Sequence, residues 1–164
     1  MKEDIKVGIA EYKISRHPNR VMTLGLGSCI GICIYDRFAG GSGLGGLAHI
    51  MLPDSSLFKN GIKTGKFADL AIPEMVGELQ AAGADIRKLA AKIAGGANMF
   101  QFPDRNLNLD IGGRNILAVR SALRQLRIPL LAEETGGNSG RTLILDLEDR
   151  TVKVVTMGRQ TKTI

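Results

Sequence analysis

Isoleucine occupies every second position of the stretch IGICIY, residues 30–35. β-branched residues at a period of two predict a β-strand, since successive side chains of a strand point to opposite faces. Comparable apolar runs predict further strands at residues 5–9, 21–24, 47–52, 89–94, 130–133, 142–147 and 152–156. Pro53 ends the third of these runs, and a hairpin-length connection at residues 148–150 joins the last two.

Two segments have the 3.6-residue periodicity that predicts amphipathic helices. The first runs from an expected N-cap at Thr64 to about residue 82 and stops at Gly83. Pro73 lies inside this helix and is a source of a kink or of a later start. The second helix runs from about residue 113 to residue 126. Its expected inward face consists of Ile116, Leu117, Ala118 and Leu123.

The composition is that of a folded globular protein, because 44% of the 164 residues are hydrophobic and 23% are charged. A chain of this length suits one domain, and two cysteines are too few for a disulfide scaffold. Together with the strand and helix patterns, this predicts an α/β (α+β) fold. We expect a layered sandwich of mixed β-sheet strands with two main helices, in a single domain over residues 1–164.

The net charge of +6 favours an acidic partner, but the basic residues are scattered and aromatic residues make up 4% of the chain. We therefore expect no nucleic-acid binding, which needs a basic face and stacking aromatics. No run approaches the roughly 18 apolar residues that span a bilayer, and the N-terminus lacks the apolar block of a secretory signal. The sequence predicts a cytoplasmic protein with no membrane insertion and with reduced thiols.

No motif predicts a metal or a cofactor. The two cysteines and two histidines stand at positions 17, 29, 33 and 49, without the paired spacing of structural zinc sites. The glycines of GSGLGG, residues 41–46, match the dinucleotide-binding pattern. A predicted strand follows them, however, instead of the helix whose N–H groups would hold a pyrophosphate. We interpret this segment as a hairpin loop.

A candidate nucleophile lies in TLGLGSCIG, residues 23–31. Cys29 follows a Gly-x-Gly-Ser turn, where small residues leave room for a substrate and let backbone N–H groups point toward one place. A thiol needs a base to become a thiolate near neutral pH, and a neutral histidine is the usual base. His49 lies in an apolar strand, whereas His17 lies in a polar, turn-like stretch that predicts surface exposure.

Spacing alone leaves two interpretations of Cys29 and His49 open. Either they form a catalytic pair, or they are an ordinary buried cysteine and a hydrogen-bonded core histidine. Cys33 provides an internal comparison. Four residues along an extended strand it lies roughly 13 Å from Cys29, too far for a disulfide, and its isoleucine neighbours predict an unreactive core thiol.

Five separated motifs resemble, in order, those of the bacterial chemoreceptor glutamine deamidases, the CheD family. They are TLGLGSCIGICIYD (23–36), GLAHIMLP (46–53), KIAGGANMF (92–100), IGGRN (111–115) and GGNSGR (136–141). The resemblance implies a thiol-dependent enzyme, a protein-glutamine glutaminase, with a catalytic triad of Cys29, His49 and Thr23. It also implies two partners, namely the cytoplasmic helices of chemotaxis receptors as substrate and a CheC-type phosphatase.

For such an enzyme we expect Cys29 to attack a glutamine amide, with loss of ammonia and hydrolysis of a thioester. His49 would move the protons, and Thr23 would orient the imidazole. The Cys29 N–H is the first candidate to stabilise the oxyanion, with Ser28 or a glycine amide such as Gly27 as a second donor.

Residues 95–100 and 136–141 are expected either as the rim of this site or as structural turns, with Met99, Phe100 and Leu57 as candidate exposed apolar contacts. Two other functions remain open. One is a non-catalytic chemotaxis adaptor, and the other is a related thiol hydrolase such as a receptor methylesterase or a transglutaminase.

Overall fold

The strand predicted from residues 30–35 is present as β4 (Ile30–Asp36), which is buried along its whole length. Ile30, Ile32 and Ile34 belong to the hydrophobic cluster that includes the helices, whereas Cys33 and Tyr35 belong to a second cluster. The alternation therefore separates two hydrophobic layers, one on each face of the strand. These positions come from a computed structural model that describes residues 1–99 and 110–164.

Ten strands and two α-helices lie within the described residues. The other strands are β1 (Asp4–Lys6), β2 (Tyr12–Arg16), β3 (Arg20–Leu26), β5 (Leu44–Ile50), β6 (Leu89–Gly95), β7 (Leu130–Thr135), β8 (Arg141–Asp146), β9 (Thr151–Thr156) and β10 (Thr161–Thr163). The helices are α1 (Ala68–Ala81) and α2 (Ile111–Gln125). Neither of these helices is long and apolar enough to cross a membrane.

The strands form two five-stranded sheets, in the orders β1-β3-β8-β9-β10 and β2-β5-β4-β6-β7. Both sheets are mixed, because β1 runs parallel to β3 and β6 runs parallel to β7, whereas the other neighbours are antiparallel. The two helices pack on one face of the β2-β5-β4-β6-β7 sheet, and the other sheet packs on its opposite face. The predicted α+β sandwich of mixed sheets with two main helices is confirmed.

The N-cap predicted at Thr64 is wrong. Thr64 begins a 3-10 turn, and the N-cap of α1 is Phe67, which makes no side-chain capping bond. Phe67 is buried and bridges to Leu52, so packing and strand-like pairing define this helix start in place of a polar cap. The helix contains Pro73, and its predicted stop is confirmed at Gly83, whose φ of 118° suits glycine.

The second helix begins two residues earlier than predicted, because the side chain of Asp110 caps it by accepting a hydrogen bond from the Gly113 N–H. The inward assignment of Leu117 is wrong, since this side chain is 64% exposed. Asn115 lies inward instead and is fully buried.

Strand limits differ from the prediction mainly at the edges of the sheets. β5 begins at Leu44, so Gly45 and Gly46 belong to the strand and not to the predicted loop. A side chain at Gly45 would overlap Leu147 and Tyr35, which explains why glycine stands inside this strand. The strands β2 and β10 were not predicted, because they are short, partly exposed edge strands with little apolar alternation.

Candidate active site

His49 and Thr23 meet in the layer between the two sheets. His49 is on β5 of one sheet, Thr23 is on β3 of the other, and both side chains are buried. Thr23 Oγ1 and His49 Nδ1 are 2.7 Å apart, which is a hydrogen-bond distance. The structure therefore brings two of the three predicted catalytic residues into direct contact.

The hydroxyl proton of Thr23 determines which nitrogen of His49 carries hydrogen. Thr23 Oγ1 donates to the Val7 carbonyl oxygen at 2.8 Å. A hydroxyl has one proton, so toward His49 the same oxygen must accept, and the Nδ1–H must donate. The lone pair of the neutral ring then lies on Nε2, a buried atom that has no hydrogen-bond partner among the residues that the structure describes. Nε2 is thus the nitrogen available as a base.

Gly31 makes room for this contact between the sheets. It lies directly opposite His49 in the pairing of β4 with β5. A Cβ at Gly31 would approach the side chains of Leu143 and Leu26 to 2.7 and 3.1 Å and that of Thr23 to 3.5 Å. The missing side chain therefore lets β3 and β8 pack closely over the strand pair that carries His49.

Cys29 immediately precedes β4 and packs against the same layer between the sheets. It stands two residues before Gly31, the strand partner of His49, and directly before Ile30, where the pairing of β4 with β5 ends. In the described part of the chain His49 Nε2 has no hydrogen-bond partner, so Cys29 and His49 share one layer without a thiol–imidazole hydrogen bond.

Burial keeps both groups uncharged near neutral pH. It raises the pKa of the Cys29 thiol above its ordinary value, although the N–H of Cys29 itself faces the sulfur and acts in the opposite direction. Burial also lowers the pKa of the His49 imidazole. The resting pair is therefore a thiol and a neutral imidazole, and a reaction at sulfur needs a proton transfer.

The turn before β4 is anchored through three successive carbonyl groups. The carbonyl of Gly27 accepts from Ala97 N–H at 2.9 Å, and that of Cys29 accepts from Gly96 N–H at 2.9 Å. The carbonyl of Ser28 accepts from the Asn115 side-chain amide at 3.0 Å. Within the described residues, the backbone N–H groups of Ser28 and Cys29 donate to no other residue, and the Cys29 N–H faces its own sulfur. These two donors remain available to a ligand.

Two glycine turns surround this segment, at the positions predicted for the rim. A side chain at Gly95, where φ is 117°, would overlap the Cys29 carbonyl oxygen. The Gly95 carbonyl accepts from Gly136 N–H at 3.0 Å and from Arg141 Nη1 at 3.1 Å. The turns after β6 and β7 are thus joined to each other and to residues 27–29, a segment that we name the nucleophile turn after the role predicted for Cys29. Met99 is 49% exposed beside Gly27.

Known proteins resemble this chain over most of its length. Residues 51–156 match the family described as CheD chemotactic sensory transduction. A protein of Moorella thermoacetica is 54% identical over 163 residues, which cover 99% of this chain and 96% of the relative. The chain belongs to the CheD family. A CheD relative from Clostridium acetobutylicum is 51% identical over 156 residues, 95% of this chain and 92% of the relative, and both relatives are named "Probable chemoreceptor glutamine deamidase CheD".

The resemblance to the CheD family inferred from five motifs is therefore confirmed. The matched region, residues 51–156, contains the motifs at 92–100, 111–115 and 136–141 and begins after Cys29 and His49. The similarity to the Moorella relative extends over 99% of the chain and thus reaches the nucleophile turn and β5.

The remaining predicted residues lie apart from the Thr23–His49 contact. His17 is exposed, as predicted, and Cys33 is fully buried, as its neighbours indicated. Leu57 is 86% exposed, and Phe100 lies outside the described residues. In residues 1–99 and 110–164, no group of three His, Cys, Asp or Glu side chains could hold a metal ion.

Sequence reasoning missed one residue of this region. Asn115 was quoted within the IGGRN motif but received no role, and the structure buries it against the nucleophile turn. A signal was present, because Asn115, Val119, Ala122 and Leu123 follow the helical spacing of an inward face. A polar residue at such a position needs buried hydrogen-bond partners.

Proposed function

We propose that this chain is a cysteine-dependent protein-glutamine deamidase that converts glutamine side chains of chemotaxis receptors to glutamate. One observation carries the mechanism: Thr23 holds His49 in the tautomer whose Nε2 is unprotonated, in the layer against which Cys29 packs. The substrate class comes from the names of the relatives, which are called chemoreceptor glutamine deamidases.

In the first half of the reaction, His49 Nε2 takes the thiol proton as the Cys29 sulfur attacks the side-chain carbonyl carbon of glutamine. A carbon–sulfur bond forms, and the carbonyl oxygen becomes an oxyanion. When this intermediate collapses, the carbon–nitrogen bond breaks, and the imidazolium returns the proton so that nitrogen leaves as ammonia. The product is a thioester between Cys29 and the receptor.

In the second half, water attacks the thioester while His49 Nε2 takes its proton. The carbon–sulfur bond breaks, the glutamate carboxyl group is released, and the sulfur recovers its proton. The Nδ1–H bond to Thr23 keeps the ring in one orientation through both halves. A neutral threonine stabilises an imidazolium less than a carboxylate does, so orientation is its main contribution.

The oxyanion is stabilised by the Cys29 N–H, with the Ser28 N–H as second donor. Neither group donates a backbone hydrogen bond to another residue in residues 1–99 and 110–164, and the same holds for the Gly27 N–H, which is the alternative second donor. Each donor of this kind contributes about 3 kcal/mol to transition-state stabilisation.

The proposed setting is the cytoplasm, with the whole chain acting as one deamidase domain and a CheC-type phosphatase as a second partner. The exposed side chain of Met99, beside the nucleophile turn, supports a protein partner at this surface. A receptor glutamine on a helix would reach Cys29 at the rim formed by the glycine turns after β6 and β7, which are hydrogen-bonded to each other.

The test is intact-mass analysis of a receptor cytoplasmic fragment incubated with the protein, together with an ammonia assay. We expect the mass change of an amide replaced by an acid, released ammonia, and no reaction with Cys29→Ala. Cys33→Ala is the matched control and should react normally. Binding without a mass change would identify an adaptor. Loss of methyl groups from the receptor would identify a methylesterase, and incorporation of an amine would identify a transglutaminase. Each of these results would contradict the proposal.

A further inference from the structure

The side chain of Asn115 connects α2 to both strands that flank the proposed active site. Its amide nitrogen Nδ2 donates to the carbonyl oxygens of Ser28 and Met51, each at 3.0 Å. Ser28 is the residue before the nucleophile, and Met51 follows the last residue of β5, the strand of His49. Asn115 is fully buried, so water does not compete for these bonds.

The two acceptors fix the orientation of the Asn115 amide. Both partners are carbonyl oxygens, which only the NH2 end of the amide can satisfy. The other end, Oδ1, is buried and has no hydrogen-bond partner in residues 1–99 and 110–164. An unsatisfied acceptor in the interior is unfavourable, but an apolar side chain at this position would leave the Ser28 and Met51 carbonyl oxygens without their Asn115 donor.

The bond to Ser28 also sets the direction of the Cys29 N–H. The Ser28 carbonyl and the Cys29 N–H belong to one planar trans peptide group, in which they point in opposite directions. Holding the carbonyl toward α2 therefore turns the N–H away from α2. In this orientation the N–H faces the Cys29 sulfur and has no other partner among the described residues.

We propose that Asn115 is a positioning residue that holds the Ser28–Cys29 peptide so that the Cys29 N–H is ready for the oxyanion. This inference rests on the proposed acyl-transfer chemistry of Cys29. Without Asn115 the peptide can rotate, which exchanges the N–H donor for a carbonyl oxygen that repels the oxyanion. The second bond, to Met51, keeps the end of β5 fixed to the same amide.

Two small thiol reagents distinguish positioning of the Cys29 N–H from a merely structural effect of Asn115 on the active site. With p-nitrophenyl acetate, the Cys29 sulfur attacks the ester carbonyl, an oxyanion forms, p-nitrophenolate leaves, and an acetyl thioester remains. With iodoacetamide, the sulfur attacks a methylene carbon and iodide leaves, without an oxyanion. Loss of the N–H donor should slow acylation and leave alkylation unchanged. Neither reagent needs a receptor, so failure of receptor deamidation would be recognised separately.

The experiment compares the wild-type chain, Asn115→Ala and Val119→Ala, with Cys29→Ala as background. Val119 is equally buried one helical turn away and contacts the hydrophobic core, so its truncation controls for loosening of α2. We expect Asn115→Ala to lower the acylation rate about 10²-fold and to keep the alkylation rate within about threefold of the wild-type rate. Val119→Ala should change each of the two rates by less than about threefold. With receptor fragment as substrate, kcat should fall while KM stays nearly constant.

Equal losses in acylation and alkylation would overturn the proposal, as would an acylation rate of Asn115→Ala equal to that of Val119→Ala. If Asn115→Ala does not fold, Asn115→Leu replaces it, because leucine has a similar size and branching but no hydrogen-bond donor. The same selective loss of acylation is expected, and retained acylation in this variant would equally contradict the role.

Discussion

Cys29 and Cys33 stand four residues apart on one stretch of chain and lie in two different environments. Cys33 is in the interior of β4, fully buried between the sheets, and its thiol pKa is strongly raised by burial. Cys29 is in the turn before the strand, half-buried among glycines, and the N–H groups of Ser28 and Cys29 donate to no other residue in the described part of the chain. The comparison teaches that the interior of a strand shields a thiol from substrates and reagents, whereas a thiol at the end of the same strand can be accessible to them.

The difference is one of access and not of charge. Burial raises the pKa of both thiols, and neither becomes a thiolate through a nearby cation at neutral pH. The two cysteines differ in their backbone pairing. Cys33 pairs with β5 on one side and with β6 on the other, whereas the pairing ends before it reaches Cys29. The following predictions test this distinction.

Replacing the two cysteines one at a time should give the largest contrast. Cys29→Ala removes the nucleophile, so receptor deamidation should fall by about 10⁴-fold or more. The measurement is the rate of ammonia release with a receptor fragment. Cys33→Ala should keep normal turnover, and equal losses in both variants would show that the two thiols do not differ in function.

Removing the proposed base should have the next largest effect. His49→Gln keeps a polar side chain of similar reach but no group that takes a proton, so kcat should fall about 10³-fold. Circular dichroism checks that the variant is folded. A loss smaller than tenfold would mean that the environment of Cys29 activates the thiol without His49.

Alkylation of Cys29 should depend steeply on pH, because burial raises the pKa of its thiol. Below that pKa the thiolate fraction, and hence the iodoacetamide rate, rises about tenfold per pH unit, or about 10²-fold from about pH 6 to about pH 8. Mass spectrometry should locate the label on Cys29 and leave Cys33 unlabelled. A fast rate that is constant over this range would reveal a preformed thiolate–imidazolium pair.

Removing the Thr23 hydroxyl should lower activity by about 30-fold, since a misplaced base is less effective but still present. Thr23→Val preserves shape and leaves the Val7 carbonyl and His49 Nδ1–H unpaired, which also reduces the free energy of unfolding by about 1–3 kcal/mol. Thr23→Ser retains the hydroxyl and serves as the control. The free energy of unfolding in urea and kcat are measured for both variants. If kcat falls in proportion to the loss of unfolding free energy in Thr23→Ser and Thr23→Val alike, the role of Thr23 is purely structural.

The smallest effect on activity is expected for Cys33→Ala, which should change kcat by less than about twofold. It removes a buried sulfur from the inter-sheet layer and leaves a small cavity, so unfolding free energy should fall by about 1 kcal/mol. Thermal unfolding provides the measurement. A large loss of activity with unchanged stability would indicate that the interior of β4 also takes part in the reaction.

Sequence patterns predicted the fold correctly where the local conformational preference of the residues agrees with their tertiary packing. The isoleucine alternation gave β4, and Gly83 gave the end of α1, because local preference and tertiary packing agree there. Thr64 and Leu117 failed because packing overrides local signals: Phe67 pairs with Leu52, and α2 turns Asn115 inward. The contact of Thr23 with His49 joins two different sheets, so spacing along the chain could not supply it without the family resemblance.

The Thr23–His49 bond crosses the boundary between the sheets, while Cys29 directly precedes β4, the strand that pairs with the β5 strand of His49. The base is therefore oriented only after the two halves of the sandwich have docked. A folding intermediate with a complete β4–β5 hairpin but separated sheets would carry the nucleophile with an unaligned imidazole. The Cys29 thiol therefore has no aligned base, and stays unreactive, until the two sheets have packed together.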